Sequence, residues 1–311
     1  MNLSVIIPCY NEELVLHETY KRLIAVLKQT STIEAYEVIF INDGSKDRTL
    51  DILQSFAQSD NCIKIINFSR NFGHQPAVTA GINHCNGDIA IIIDADLQDP
   101  PEVIPEMIDT YLMNSCNVVY GVRKTRKGDS SFKKVTAKYF YRMLNNLSDV
   151  HIPIDTGDFR LLDRSIINNF NNLKENNKYI RGLISWLGFK QQAFYYDRDA
   201  RFAGETKYPL RKMLRFASMA VFYFSKKPLK LATNLGFLSI LAGLFLSIWI
   251  VANKIIYPEY LINGWTSLIL VVIFFGGVQL LTIGVLGQYI GSLFDESKHR
   301  PEYIVESKMN F

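Results

Sequence analysis

Most of the side chains in this sequence that could do chemistry together lie in four short polar clusters, each closing an apolar run. Tyr10-Asn11-Glu12 follows Leu3–Pro8, and Asn42-Asp43-Gly44-Ser45 follows Tyr36–Ile41. Ser69-Arg70-Asn71 follows Ile63–Phe68, and Asp94-Ala95-Asp96 follows Ile89–Ile93. One such cluster is ordinary turn chemistry. Four of them converge on one crevice if the runs are strands of a parallel sheet, because open α/β sheets bind ligands at the carboxyl ends of their strands. Asp94 and Asp96 are the sharpest pair, since carboxylates this close repel unless a cation lies between them. A hard divalent ion fits, Mg²⁺ or Mn²⁺; Mg²⁺ typically takes one or two carboxylates and completes its shell with phosphate oxygens and water. The chain contains no G-x-x-x-x-G-K-[ST], no G-x-G-x-x-G and no G-x-S-x-G, so P-loop, dinucleotide and serine-hydrolase fingerprints do not account for the crevice. A nucleotide diphosphate carrying a transferable group does.

Positioning these clusters requires alternating strands and helices. The four apolar runs have strand length and are continuous, as in strands buried on both faces of a parallel sheet. Between the first two, Leu16, Tyr20, Leu23 and Leu27 mark one face of a helix. Further helices are expected over Thr49–Ser59 and Gln75–Asn86. Strand–helix–strand order with right-handed crossovers gives an α/β domain built on a doubly wound, mostly parallel sheet.

Composition bounds the rest. With 48% hydrophobic and 21% charged residues over 311 positions, the chain is neither disordered nor a charged coiled coil. A net charge of +4 without a long basic tract excludes nucleic acid as the expected partner. Cys9, Cys62, Cys85 and Cys116 form no CxxC pair and the histidines no HExxH, so reduced cysteines and a cytosolic main domain are expected. The opening MNLSVIIPCYNEE lacks a basic n-region and reads as a strand, not a signal peptide.

The second half changes character. Leu231–Asn253 and Tyr260–Phe294 are stretches of 23 and 35 residues without a charge, each long enough to span a bilayer once, which takes about 20 apolar residues. Arg211, Lys212, Arg215, Lys226, Lys227 and Lys230 precede the first stretch, whereas only Lys254 lies between the two. The positive-inside rule then places the N-terminal domain and both termini in the cytoplasm of a multi-pass protein of the inner (plasma) membrane. Tyr208–Tyr223 mixes basic and apolar side chains and is expected to lie in the membrane interface. The expected organisation is a catalytic domain over 1–206, an interfacial segment over 207–230, two membrane helices within 231–294 (about 231–253 and 265–290), and a cytoplasmic tail over 295–311. Gly276-Gly277 and Gly284-x-x-Gly287 would let a second copy approach closely, so a homo-oligomer is compatible with the second helix.

Five motifs in order give a resemblance. They are Val5-Ile6-Ile7-Pro8-Cys9-Tyr10-Asn11-Glu12-Glu13, Asn42-Asp43-Gly44-Ser45, Ser69-Arg70-Asn71-Phe72-Gly73, Asp94-Ala95-Asp96-Leu97-Gln98-Asp99-Pro100-Pro101-Glu102, and Thr156-Gly157-Asp158-Phe159-Arg160-Leu161. Together they resemble the family 2 inverting glycosyltransferases of GT-A fold. The ending Gly287-Gln288-Tyr289-Ile290-Gly291 through Lys298-His299-Arg300-Pro301 is similar to the polyprenyl-phosphate branch of that family. The resemblance implies a UDP-sugar donor and a polyprenyl phosphate acceptor at the cytoplasmic face of the membrane, with inversion and a Mg²⁺ or Mn²⁺ cofactor. Glucose is the first-choice sugar and N-acetylglucosamine the second. Pro8, Tyr10, Glu12, Asp43 and Asn71 would shape the nucleotide pocket, Asp94 would support nucleotide and metal, Asp96 would be the main metal ligand, and Gln98 would face the sugar or the phosphates.

On the acceptor side the resemblance makes Asp158 the catalytic carboxylate, as base or as orienter; read from the residues alone, it could instead cap a helix before Leu161. Arg123, Lys134, Arg160, Arg201 and Lys207 are the phosphate-binding candidates, the last two within Arg201-Phe202-Ala203-Gly204-Glu205-Thr206-Lys207. Two other readings stand beside this one: a family member with another acceptor, and a membrane scaffold or lipid translocator with a vestigial nucleotide site.

Overall fold

The computed structural model describes residues 1–124, 156–175, 178–198, 225–256 and 264–311. The candidates Lys134, Arg201 and Lys207 and the expected interfacial stretch 208–223 lie outside the described residues. The chain divides into two units, one containing the N-terminal domain together with His299–Phe311, the other containing the long apolar helices.

In the first unit the elements alternate as β1 (Asn2–Cys9), α1 (Leu16–Gln29), β2 (Ala35–Asn42), α2 (Thr49–Ser59), β3 (Ile63–Phe68), α3 (His74–His84) and β4 (Ile89–Ile92). A 3₁₀ turn (Pro101–Val103), α4 (Ile104–Asn114), β5 (Val118–Arg123), β6 (Thr156–Asp163), α5 (Arg164–Asn171), α6 (Ile180–Trp186) and β7 (Gln191–Tyr196) follow. These strands and β8 (Val305–Met309) form one eight-stranded sheet in the order β7-β5-β6-β4-β1-β2-β3-β8. β1 pairs in parallel with both β2 and β4, and β2 with β3, whereas β6 runs antiparallel between β4 and β5. The chain winds outward from β1 to β3 and then returns to place β4 on the other side of β1. That reversal opens a crevice beyond the carboxyl ends of β1 and β4, the site where such sheets take ligands.

The α/β sheet expected from the sequence is therefore present, and its first four strands fall where the apolar runs place them. Their composition explains why: every residue of β1 after Asn2 is buried. Val5 and Ile7 face a core closed by Leu16, Leu23 and Leu27 of α1, Leu53 and Phe56 of α2, and Met107 and Ile108 of α4. Ile6 points to the other face, where α3 lies so close that a Cβ at Gly81 would be 2.2 Å from its Cγ2. A fully buried side chain of this size contributes roughly 1.5–3 kcal/mol, so β1 is the anchor of both layers.

The far end of the chain differs from expectation. The segment 295–311, read as a tail, contains the last turn of a long helix and then β8, which pairs antiparallel with β3 from Ile65↔Met309 to Phe68↔Val305. The second unit contains α7 (Lys227–Ile256) and α8 (Trp265–Ser297), in which Lys227–Asn253 and Val271–Ser297 are long and apolar enough to cross a membrane. Phe237, Phe245, Leu280 and Leu293 stay exposed on them. A Cβ at Gly243 of α7 would lie 3.4 Å from Phe275 of α8, whereas Gly276, Gly277, Gly284 and Gly287 have open space beside them.

One glycine locks two crevice loops together. Gly44, with φ +62°, lies so close to the β3–α3 loop that a Cβ would be 2.4 Å from both Arg70 C and Asn71 N. Gly44→Ala should therefore lower the melting temperature of the purified protein, left-handed strain alone costing about 1–3 kcal/mol. An unchanged melt would contradict this packing.

Candidate active site

The crevice is built from loops that close on one another through main-chain amides. Asn11 N donates to Ser45 Oγ (3.0 Å), Glu12 N to Thr49 Oγ1 (2.9 Å), and Lys46 N to Asn11 Oδ1 (2.8 Å), which ties the β1 loop to the β2 loop. Asp43 organises the next loop. Its carboxylate accepts from Phe72 N at 2.7 Å, Gly73 N at 3.0 Å and Asn71 Nδ2 at 2.9 Å. Burial pushes the Asp43 carboxyl up, and the Phe72 and Gly73 amides oppose that shift. Asn11 (φ +54°) and Leu97 (φ +58°) both adopt the left-handed conformation. Such residues are uncommon and gather where a loop is held against its own preference.

The acids come from β4 and β6. Thr19 of α1 fixes the loop after β4 by donating to the Ala95 carbonyl at 2.8 Å. Asp96, 8% exposed, accepts from Gln98 N at 3.1 Å. Asp94 keeps about a third of its side chain (32%) open to solvent. Its pKa is pushed up to about 6, first by burial and then by Asp99, Asp96 and Asp158 against the pull of His74. Asp99 is buried beneath them, accepting from Tyr196 Oη at 2.5 Å, with Arg198 Nε at 3.4 Å. This crowding of negative charge is what a divalent cation would relieve. Among the described residues no group of three ligating side chains would enclose a metal by itself. A pair of carboxylates that leaves the remaining positions to phosphate oxygens and water suits Mg²⁺-type coordination.

Asp158 stands on β6 and caps no helix; Asp163 does that, accepting from Ile166 N at 2.8 Å. Arg181 Nε donates to Asp158 Oδ1 at 2.6 Å, and His74 Nε2 meets Oδ2 at 3.0 Å. Gln75 Nε2 adds a longer contact at 3.4 Å. Burial alone would raise the Asp158 pKa, but Arg181 and His74 hold it well below the usual carboxylate range. His74, at the start of α3, lies 3.8 Å from Asp94 and so bridges the two strands' acids. Burial opposes its charge, yet Asp158 and Asp94 raise its pKa to about 9.

Two of the acceptor-side candidates can be placed. Arg160 lies on the same face of β6 as Asp158, two residues along. It is 3% exposed; one guanidinium nitrogen donates to the Gly157 carbonyl at 3.2 Å, and its buried Nε has no hydrogen-bond partner. Burial lowers its pKa to about 10. Arg123 ends β5 with its guanidinium against Gly157, where a Cβ would be 2.8 Å from Nη2. Pro8 is buried in β1, and Tyr10, Glu12 and Gln98 are half-buried at the crevice loops.

Residues 4–170 match the model of glycosyl transferase family 2, more than half the chain. The chain belongs to that family. Several glycosyltransferases are similar over nearly its whole length. The Bacillus subtilis glycosyltransferase YkcC is 52% identical over 97% of this chain and 93% of its own. Glycosyltransferase sll0501 of Synechocystis is 42% identical over 98% and 95%. The bactoprenol glucosyl transferase of Shigella phage SfV is 37% identical over 99% of both. This chain is thus a family 2 glycosyltransferase, and its mostly parallel sheet with the acid pair beyond β4 is the GT-A arrangement.

Sequence reading of the family 2 motifs missed His74, Gln75 and Arg181. The first two follow Ser69-Arg70-Asn71-Phe72-Gly73 directly, so extending that motif by two residues would have found them. Arg181 carries no such signal, because only the fold of β6 and α6 brings it to Asp158. A pH series tests the histidine. Its folded pKa lies above the ordinary 6.5, so the stability it lends is complete below about pH 6.5 and is lost as pH rises through about 9. The wild-type melting temperature should fall across that window, and His74→Gln should flatten the fall. An equal decline in the variant would refute the assignment.

Proposed function

We propose that this family 2 enzyme transfers one sugar, glucose first and N-acetylglucosamine second, from UDP-sugar to a polyprenyl phosphate, with inversion. The observation that carries the acceptor class is the double pairing of Asp158 with Arg181 at 2.6 Å and His74 at 3.0 Å. A hydroxyl acceptor needs a base to remove its proton, and a carboxylate held by two cations is a poor base. A phosphate monoester already carries its charge, with a second pKa near about 6. It needs orientation, which a rigidly held carboxylate and nearby arginines provide. Asp158 is accordingly a positioning group, and Arg160 and Arg123 offer the acceptor phosphate guanidinium donors suited to its oxygens.

On the donor side Asp43, Asn71, Pro8, Tyr10 and Glu12 form the base and ribose pocket, while Gln98 faces the sugar phosphates. Asp96 with Asp94 would hold Mg²⁺ or Mn²⁺, whose charge stabilises the departing diphosphate. The acceptor oxygen attacks the anomeric carbon as the bond to UDP breaks, which inverts that carbon and requires no enzyme nucleophile. Arg201 and Lys207, on the strength of their motif, and Lys134 are the remaining candidates for the acceptor phosphate.

The relatives named for bactoprenol transfer support a lipid acceptor, as do α7 and α8. Because β8 rejoins the sheet that contains β1, two crossings would leave both termini on one face, and the lysine distribution makes that face cytoplasmic.

Full-length protein in membranes, given Mg²⁺ and a panel of labelled UDP-sugars, should label undecaprenyl phosphate from one donor. Undecaprenol, the free alcohol, should stay unlabelled; labelling it equally would sink the phosphate-acceptor reading. Asp96→Asn should reduce transfer about a hundredfold or more, the scale of losing a main transition-state electrostatic contact.

A further inference from the structure

The strand that follows the second apolar helix reaches the nucleotide side of the crevice through a chain of amides. Glu306, exposed on β8, accepts from Asn67 Nδ2 at 2.9 Å. Asn67 Oδ1 in turn accepts from Asn42 Nδ2 at 2.7 Å, and Asn42 Oδ1 accepts from Ser45 N at 3.3 Å. Both asparagines are buried, at 6% and 2% exposure. A carboxylate only accepts, so it fixes which end of the Asn67 amide points outward; that choice fixes Asn42, and Asn42 then receives the Ser45 amide. Ser45 is also the residue whose hydroxyl accepts Asn11 N at 3.0 Å, joining the β1 and β2 loops. A second set of contacts, from the two residues just before β8, supports the neighbouring loop. Ser69 N donates to the Ile304 carbonyl at 3.1 Å, and Tyr303 stacks on Phe68 with ring centroids 5.0 Å apart. Phe68 meets Phe72 edge-on at 5.7 Å, and it is Phe72 N that bonds Asp43.

We infer that Glu306 is a positioning residue for the UDP moiety of the donor, acting through Asn67 and Asn42 on the loops that hold it. The inference rests on the UDP-sugar reading above. It assigns a role in donor binding to the last residues of the chain, some 200 positions beyond the acid pair.

The test uses full-length protein in detergent and titrates UDP in the presence of Mn²⁺ by calorimetry. Glu306→Lys presents only donors, which reverses both buried amides and turns an N–H toward Ser45 N. It should weaken UDP binding about five- to twentyfold when titrated well below the melting temperature of every variant, where any stability lost to the donor–donor contact leaves the protein folded. Glu306→Gln can present an acceptor oxygen and should bind UDP within about twofold of wild type. Equal UDP affinity in wild type and Glu306→Lys overturns the inference, as does equal weakening in both variants. Wild-type protein that fails to bind UDP would instead overturn the UDP-sugar reading, so the two failures are distinct.

Discussion

Burying carboxylates together is unfavourable unless cations or hydrogen-bond donors meet them, and the crevice answers this for each of its acids differently. Asp99 receives a phenol, Asp158 a guanidinium and an imidazole, and Asp43 two main-chain amides and an asparagine. Asp94 is left with the longest contact, 3.8 Å to His74, and its pKa is pushed up to about 6. α3, α6 and β7 each contribute one partner, His74, Arg181 and Tyr196. In the proposed reading, Asp94 and Asp96 are where a divalent cation arriving with a diphosphate would bind.

That division separates two kinds of acid along the crevice. The pair beyond β4 is poised to gain positive charge, whereas Asp158 has already been given it. An inverting transfer to an alcohol would require the opposite arrangement on the acceptor side, with a carboxylate kept free to take a proton. The pairing of Asp158 therefore bears on what the acceptor must bring with it as well as on how the site is held.

The parts of the fold legible in the sequence were those buried on both faces. β1 to β4 are Ile- and Val-rich runs whose only charges are Glu37 and Lys64, because a central parallel strand has little solvent side to mark with polar residues. β8 was illegible for the opposite reason. Val305-Glu306-Ser307-Lys308-Met309 is an edge strand with its middle three residues exposed, and a charged five-residue segment after a long apolar helix reads as a tail. The acid pair, the NDGS loop and Asp158 were recognisable because each sits in a motif. His74 lay one residue past the end of its motif, and Arg181 is brought in by topology alone, at a sequence distance no local pattern encodes. Arg160 was named for phosphate, and its burial and unpartnered Nε could not have been read from Asp158-Phe159-Arg160.

The position of β8 also orders how the molecule is made. Synthesis runs from the N-terminus at about 5–20 residues per second, so β3 is complete long before the strand that covers it exists. Until residues 305–309 leave the ribosome, β3 presents a row of unpaired amides and carbonyls, the kind of edge that recruits foreign strands. Both apolar helices emerge before that edge is closed. Nascent catalytic domain and apolar helices are thereby joined in one sequence of events, in which the sheet is begun before both helices and closed after them.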